Sequence, residues 1–460
     1  MTSIHLPENM QTWVENSLNG KITRAEKPKA GASREAWLID VETSSKPAEL
    51  FLLRDKGGGE GSKKDAAVLK AIGRSSEIPV PHVVSYSEEM SAILLERVSG
   101  NSDYTDLAEG EQKESIANDL MRIAAELHAI APKSLNIPHL TMPRDTDECI
   151  TQHLETLRGA LPALGEEIDP YFEFAIGWLD RNRPENSDRM ALVHSDLGPD
   201  NFIFAGNRIA ALLDWEVAHF GDPMEDLATI AIRDMATPFG DLKKRYAEYR
   251  EYSTNGIDLE TVAYYRILIL TRNSLFITLG LKFPTPDFDV LEMLAYQAML
   301  MRAGSLCLLE YEGLLDDHSA CHIEALSAVN KEVLVEGIHS ALDRAQPNES
   351  LSPYQSRQRF RIAGALNDLE RKISLNPAWK ATELDSINKL LGSTHQDLGE
   401  ARSDLGAFAT NAHQNRSRER DLMHCLNTRM KIIAEQRKNL MGVLYTATPQ
   451  RLLDRNKGED

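Results

Sequence analysis

One stretch, Leu192–Pro223, constrains this chain more than any other: LVHSDLGPDNFIFAGNRIAALLDWEVAHFGDP. Its apolar and polar runs predict a short strand, a polar loop, a strand over Asn201–Phe204, a turn at Gly206-Asn207, a strand over Ile209–Leu213 and a second, acidic loop. A hairpin of that kind brings the loops that end on Asn201 and Asp214 to one end. Taken singly, an Asp after a strand is a turn or cap residue, and Asn201 a turn residue. Taken together, His194, Asp196 and Asn201 keep the spacing H-x-D-x-x-x-x-N, in which the Asp faces a hydroxyl that accepts a phosphoryl group and the Asn holds a metal. Asp214 falls where a second metal-binding carboxylate is needed, and magnesium takes oxygen ligands of this kind.

The spacing is followed by Asp214-Trp215-Glu216, Gly221-Asp222-Pro223 and Asp226-Leu227-Ala228. With them the stretch resembles the aminoglycoside phosphotransferase and choline kinase family of small-molecule kinases, with every position of that pattern filled. The resemblance implies an α+β, two-lobed protein-kinase-like fold over residues 1–325, ATP and Mg2+ as cofactors, and a small-molecule hydroxyl as acceptor. It makes Asp196 the residue that accepts or orients that hydroxyl, His194 a stabiliser of the loop, and Asn201 and Asp214 the metal ligands. Glu216 either helps to hold a second metal, orients Asp214, or does neither. Asp222 is expected to satisfy the free N–H groups of a helix over Asp226–Ile232.

Upstream, residues 8–20 read as an amphipathic helix with Met10, Trp13, Val14 and Leu18 on one face. Gly31-Ala32-Ser33 precedes an alternating strand, Ala36–Val41, and a further strand covers Glu49–Arg54. A small-residue turn between strands exposes backbone N–H groups that suit phosphate, which marks Ser33 as a nucleotide contact. Arg54 lies where the family places a strand cation for the α- and β-phosphates. Most members carry Lys there; Arg is found in a branch related to the kinase-like domains linked to acyl-CoA dehydrogenases. A guanidinium can hold two phosphate oxygens in a fork. Asp65, on a helix over Lys63–Ile72, falls where the family has the Glu that pairs this cation. Ala92–Gly100 resembles the last strand of the small lobe and the hinge, which puts Glu96 beside the nucleotide base.

The expected organisation is a nucleotide-binding lobe over 1–97, a helical lobe with the catalytic loop over 98–325, and an appended all-helical domain over 330–460. Helices are predicted over 110–130, where His128 is a packed residue, and over 150–182, 259–282 and 288–311. Beyond 330, helical faces recur at Ile362, Leu366, Leu369 and Ile373, at Leu384, Ile387 and Leu391, and at Leu422, Leu426, Met430 and Ile433.

A formal charge of −19 over 460 residues argues against a nucleic-acid partner, whose phosphates would be repelled. Residues 351–460 nevertheless carry 18 Lys/Arg against 13 Asp/Glu, a net of +5, so the first 350 carry −24. The 4 cysteines form neither a zinc pattern nor a disulfide framework, and the N-terminus lacks the basic and apolar regions of a signal peptide. A cytoplasmic protein is expected, with no membrane partner: the most apolar stretch, Tyr264–Phe283, is broken by Arg266, Arg272 and Lys282 and suits a buried helix. A homo-oligomer is compatible with all of this. For the acceptor, the branch resemblance suggests a hydroxyacyl-CoA, with the basic tail supplying cations for its phosphates. An aminoglycoside or another small alcohol, drawn by the acidic first 350 residues, is the alternative. A nucleotide-binding scaffold without catalysis is the alternative of another class, favoured by the departures at Arg54 and Asp65.

Overall fold

A computed structural model describes residues 6–27, 34–56, 60–254, 256–285, 288–316 and 353–453. Its α-helices among the described residues are α1 (Glu8–Leu18), α2 (Gly61–Ser75), α3 (Glu111–Ala129), α4 (Pro132–Leu135), α5 (Thr146–Ala160), α6 (Pro170–Arg181), α7 (Met224–Asp234), α8 (Leu242–Tyr252), α9 (Leu259–Lys282), α10 (Val290–Tyr311), α11 (Pro353–Leu391), α12 (Leu398–Asn411), α13 (Arg416–Gln436) and α14 (Lys438–Met441). The chain divides into two compact units. One takes the residues up to Cys149 together with Asn186–Asp258, the other Ile150–Glu185 and everything from Leu259 onward.

In the first unit, β1 (Gly20–Glu26), β2 (Arg34–Thr43), β3 (Ala48–Asp55), β4 (Val83–Ser87) and β5 (Ala92–Glu96) form a sheet of order β1-β2-β3-β5-β4 with antiparallel neighbours. Successive side chains of a strand point to opposite faces, so burial sorts by parity. Trp37, Ile39 and Val41 of β2 and Leu50 and Leu52 of β3 share one core with Met10 and Val14, which lie a turn apart on α1. The opposite parity faces α2. There Asp55 accepts the Ser62 backbone N–H (2.9 Å) and hydroxyl (2.8 Å), satisfying a donor of the first turn of α2.

The rest of this unit pairs β6 (Ala191–Val193) with β9 (His219–Gly221) and β7 (Phe202–Ala205) with β8 (Arg208–Leu212), both antiparallel. Phe202 sits opposite Leu212, so the loops on either side of this hairpin meet at one end, as the spacing predicts. The loop after the sheet is tied to β7 by a two-way backbone bridge between Asn101 and Phe204 (2.9 Å each). Gly100 makes this approach possible. Its φ is +151°, and a Cβ there would stand 2.5 Å from the Phe204 carbonyl oxygen. α3 supports the hairpin from beside it, where Asp119 accepts the Ile209 N–H (2.8 Å).

The second unit is helical among the described residues. α9 is the apolar stretch flagged by the sequence, buried from Thr261 to Leu270, and no helix of the described residues is long and apolar enough to cross a membrane. Residues 353–453 were expected to stand apart from 330 onward as a separate domain. They share a unit with α9 and α10 instead. Arg266 donates to the Gln450 carbonyl (2.7 Å) and to Glu310 (2.5 Å), and Arg302 to the Tyr445 carbonyl (2.6 Å). Arg429 forks Asp169 (2.7 and 2.9 Å) and also meets Glu383. Residues 330–352 and 454–460 of the expected module lie outside the described residues.

Candidate active site

Between β6 and β7, the chain from His194 to Asn201 is held largely by residues distant in sequence, on α7 and on the loop after β8. Asp226, fully buried in the first turn of α7, accepts the backbone N–H of His194 (2.9 Å) and of Ser195 (2.7 Å). Its Oδ2 also meets His128 Nε2 (3.0 Å), and the Tyr249 hydroxyl lies 2.9 Å from His128 Nδ1, so His128 is a packed link rather than a surface group. Burial pushes the Tyr249 hydroxyl up to about 12, which keeps it a donor. His194 Nε2 donates to the Leu213 carbonyl (2.7 Å), and Leu213 N donates to the Asn201 carbonyl (2.9 Å). These bonds lash the two loops together. His194 Nδ1 is buried with no hydrogen-bond partner among the described residues, and burial lowers the affinity of the ring for a second proton. The ring packs on Trp215, centroids 4.5 Å apart.

Ser195, Asp200 and Asp214 have φ of +62°, +77° and +64°. Left-handed backbone at non-glycine residues costs on the order of 1 kcal/mol or more each, and such strain collects where a site needs side chains aimed in unusual directions. Asp196 is the partly exposed tip of the loop. Arg233 of α7 forks it, with Nε on Oδ1 (2.9 Å) and Nη2 on Oδ2 (2.5 Å), and donates from Nη1 to the Pro199 carbonyl (2.8 Å). Asn201 Nδ2 donates to Asp196 Oδ2 and to its carbonyl, both 2.8 Å. With the amide nitrogen so engaged, the ligand atom Asn201 can offer a metal is its oxygen. Asp222 accepts the Met224 N–H (2.9 Å), the expected helix-start role.

A sequence model described as the phosphotransferase enzyme family (APH) matches residues 25–263, more than half of the chain. The chain belongs to this family. That family is one of phosphotransferase enzymes. Among curated proteins, the phosphotransferase is similar to acyl-CoA dehydrogenase family member 11 of Pongo abelii and of Homo sapiens, each 27% identical over 229 residues. The match covers 44% of this chain and 29% of theirs, so the chain spans under a third of the length of these relatives. Among solved structures, a Ralstonia eutropha protein classed as an aminoglycoside phosphotransferase aligns with a TM-score of 0.51 at 18% identity, covering 66% of this chain and 97% of that one. That likeness is one of fold: α+β, a sheet-bearing N-terminal part followed by helices, as in the protein-kinase-like phosphotransferases.

At the sheet, the phosphotransferase departs from the expected pairing of Arg54 with Asp65. Arg34, the first residue of β2, takes Asp65 instead. The pleat explains why. Arg54 follows Leu50 and Leu52 on the α1 face of β3, where its recorded ion pair is a loose one with Glu35 (3.8 Å) at the opposite register position. Arg34 and Asp55 face each other on the α2 side (3.5 Å). Arg34 also donates through Nε (2.9 Å) and Nη2 (2.7 Å) to Glu216 Oε2, and its Nη2 lies 3.5 Å from Asp214. Glu216 thus meets Arg34, and Asp65 Oδ1 is left buried without a hydrogen-bond partner among the described residues.

Four carboxylates, Asp55, Asp65, Asp214 and Glu216, lie around the Arg34 guanidinium, and Lys64 is a further cation acting on Asp65 and Glu216. Burial, with Arg34 pulling the other way, pushes the Asp65 carboxyl up to about 6. Partial burial and then the charge of Glu216 push that of Asp214 upward against Arg34, while its side chain stays 43% exposed to water. A hard divalent cation suits such a set of oxygens. Ser33 lies outside the described residues. Glu96 ends β5 with its N–H given to the His82 carbonyl (2.9 Å) and its side chain exposed. Sequence reasoning missed Arg233 and Arg34. Parity in the alternating strand could have found Arg34, which shares a face with Ala36 and not with Trp37. Arg233 had one signal, being the lone cation in α7.

Proposed function

We propose that this phosphotransferase moves the γ-phosphoryl group of ATP to a hydroxyl of a small acceptor, with Asp196 facing that hydroxyl. The observation that carries the reading is the pair of lashed loops, which present Asp196, Asn201 and Asp214 from one end of the β7–β8 hairpin. Asn201 and Asp214 would hold magnesium, with Glu216 beside them; the bound metal would neutralise charge on the donor's phosphates. Asp196 orients the hydroxyl and takes its proton as the hydroxyl oxygen bonds to the γ-phosphorus and the bond from that phosphorus to the bridging oxygen breaks, releasing ADP. Because the transition state is loose, most of the catalysis is positioning and charge neutralisation, the work that a strained, cross-tied loop is built for.

For the acceptor, we take a hydroxyacyl thioester of coenzyme A, supported by the similarity to acyl-CoA dehydrogenase family members. The basic tail does not add to this support. Arg361, Arg371, Arg402 and Arg429 each pair with an acid of their own unit. An aminoglycoside or another small alcohol is the runner-up. The scaffold reading draws on one observation, the Arg233 fork on Asp196, which occupies the carboxylate a hydroxyl would need.

Phosphate transfer from ATP to hydroxyacyl-CoA esters, hydroxylated metabolites and aminoglycosides separates these readings. Asp196→Asn should lower turnover about 10²–10⁴-fold at nearly unchanged nucleotide affinity. Near-normal turnover in that variant removes Asp196 from the mechanism. Nucleotide binding with no transfer to any acceptor leaves the scaffold.

A further inference from the structure

We infer that Arg34 is a positioning residue for the phosphate-donor site, filling through Asp214 and Glu216 the post that the family pattern gives to the β3 cation. The inference rests on the kinase reading above and adds a residue to it. Three observations carry it. A single guanidinium joins the first residue of β2, helix α2 through Asp65, and the loop after β8 through Glu216 and Asp214. Arg34 is buried, whereas the Arg54 side chain is 40% exposed and on the other face of the sheet. The backbone also makes room for the contact: a Cβ on Gly61 would stand 3.0 Å from both Arg34 Nη2 and Glu216 Oε2.

The chemistry follows from charge and geometry. Asp55, Asp65, Asp214 and Glu216 converge on this one cation. Without it, four carboxylates would repel one another and the incoming phosphates, and the loop bearing Asp214 would lose its tie to the sheet. A fork suits this task better than an ammonium, since Arg34 reaches Asp65 and Glu216 from different nitrogens of a rigid plane. Arg34 acts on the donor through the two carboxylates it holds.

The test measures binding of Mn2+ with a non-hydrolysable ATP analogue by titration calorimetry on the full chain, together with melting temperature and the kcat and KM of transfer. Arg34→Gln should weaken binding about 10–100-fold, the worth of one or two hydrogen bonds to a charged group, and raise the metal concentration needed for half-maximal binding. Arg34→Lys should recover part of this, and Asp65→Asn should weaken binding in the same direction. Arg54→Gln should change it less than about threefold, as exposed charges do. A merely structural role would lower the melting temperature while the folded fraction bound the analogue normally. If Arg34→Gln does not fold, Arg34→Lys and Asp65→Asn decide. Unchanged affinity in both overturns the inference, as does tighter binding in Arg34→Gln, which would make Arg34 a competitor of the metal. Loss in Arg54→Gln with none in Arg34→Gln overturns it and leaves the kinase reading intact. A wild-type chain that binds no nucleotide takes both away.

Discussion

Replacing Asp226 by Asn tests how the loop that bears Asp196 is held. The carboxylate accepts at 2.7 Å from Ser195 N on one oxygen, and at 2.9 and 3.0 Å from His194 N and His128 Nε2 on the other. An amide of the same shape must turn its NH2 group toward one of these sides. The cheaper choice faces the Ser195 N–H, because the other side loses two contacts. One charge-assisted bond is then lost, a buried N–H is orphaned, and the remaining bonds fall from charged to neutral strength. Hydrogen bonds to charged groups are worth about 1.5–3 kcal/mol and an orphaned buried donor costs about 1–3 kcal/mol, so a total near 2–4 kcal/mol is expected. In a domain of about 150–250 residues this lowers the melting temperature by roughly 5–15 °C. Ala, which removes all three acceptor contacts, should cost more. Hydrogen exchange followed by mass spectrometry should show the segment around Ser195 opening before the sheet does. Turnover should fall more than nucleotide affinity, because Asp196 is the next residue in the chain. An Asn variant that melts within about 2 °C of wild type, with the Ser195 segment still protected, would refute the anchoring argument.

Asp214→Asn should stabilise the metal-free protein. Partial burial and Glu216 hold the folded carboxyl above its ordinary 3.8, so its ionisation opposes folding; with the side chain 43% exposed, water screens much of this, and the gain should be small, growing as pH rises above the ordinary carboxylate range and levelling off near neutrality, as pH-dependent melting curves would read. The buried thiols of Cys149 and Cys307 are both pushed up to about 12 by burial, so neither should alkylate at pH 8 until the protein unfolds, as mass spectrometry before and after denaturation would show. Deleting residues 353–453 should yield aggregated protein rather than a soluble core, because it removes Arg429 from Asp169 and the Gln450 and Tyr445 carbonyls from Arg266 and Arg302; a monomeric, active truncation would contradict this.

What the sequence determined is the local chemistry. The spacing from His194 to Asp214 places two loops at one end of a hairpin, because turn residues and strand lengths leave little other choice. Periodicity also yields α1, β2, β3, α3 and α9 within a few residues of their observed bounds, since burial of one face leaves its mark every second or every third to fourth position. Tertiary structure decided where the charges go. Arg34 and Arg54 look alike in sequence, yet the pleat sends them to opposite faces and only Arg34 meets Asp65. Arg233 reaches Asp196 across 37 residues of chain. In the tail, cations expected to serve the phosphates of CoA are tied down, Arg429 to Asp169 and Glu383. A charged side chain is partnered by whatever packing brings within a few ångströms of it, and that distance is set by the folded backbone rather than by separation along the chain.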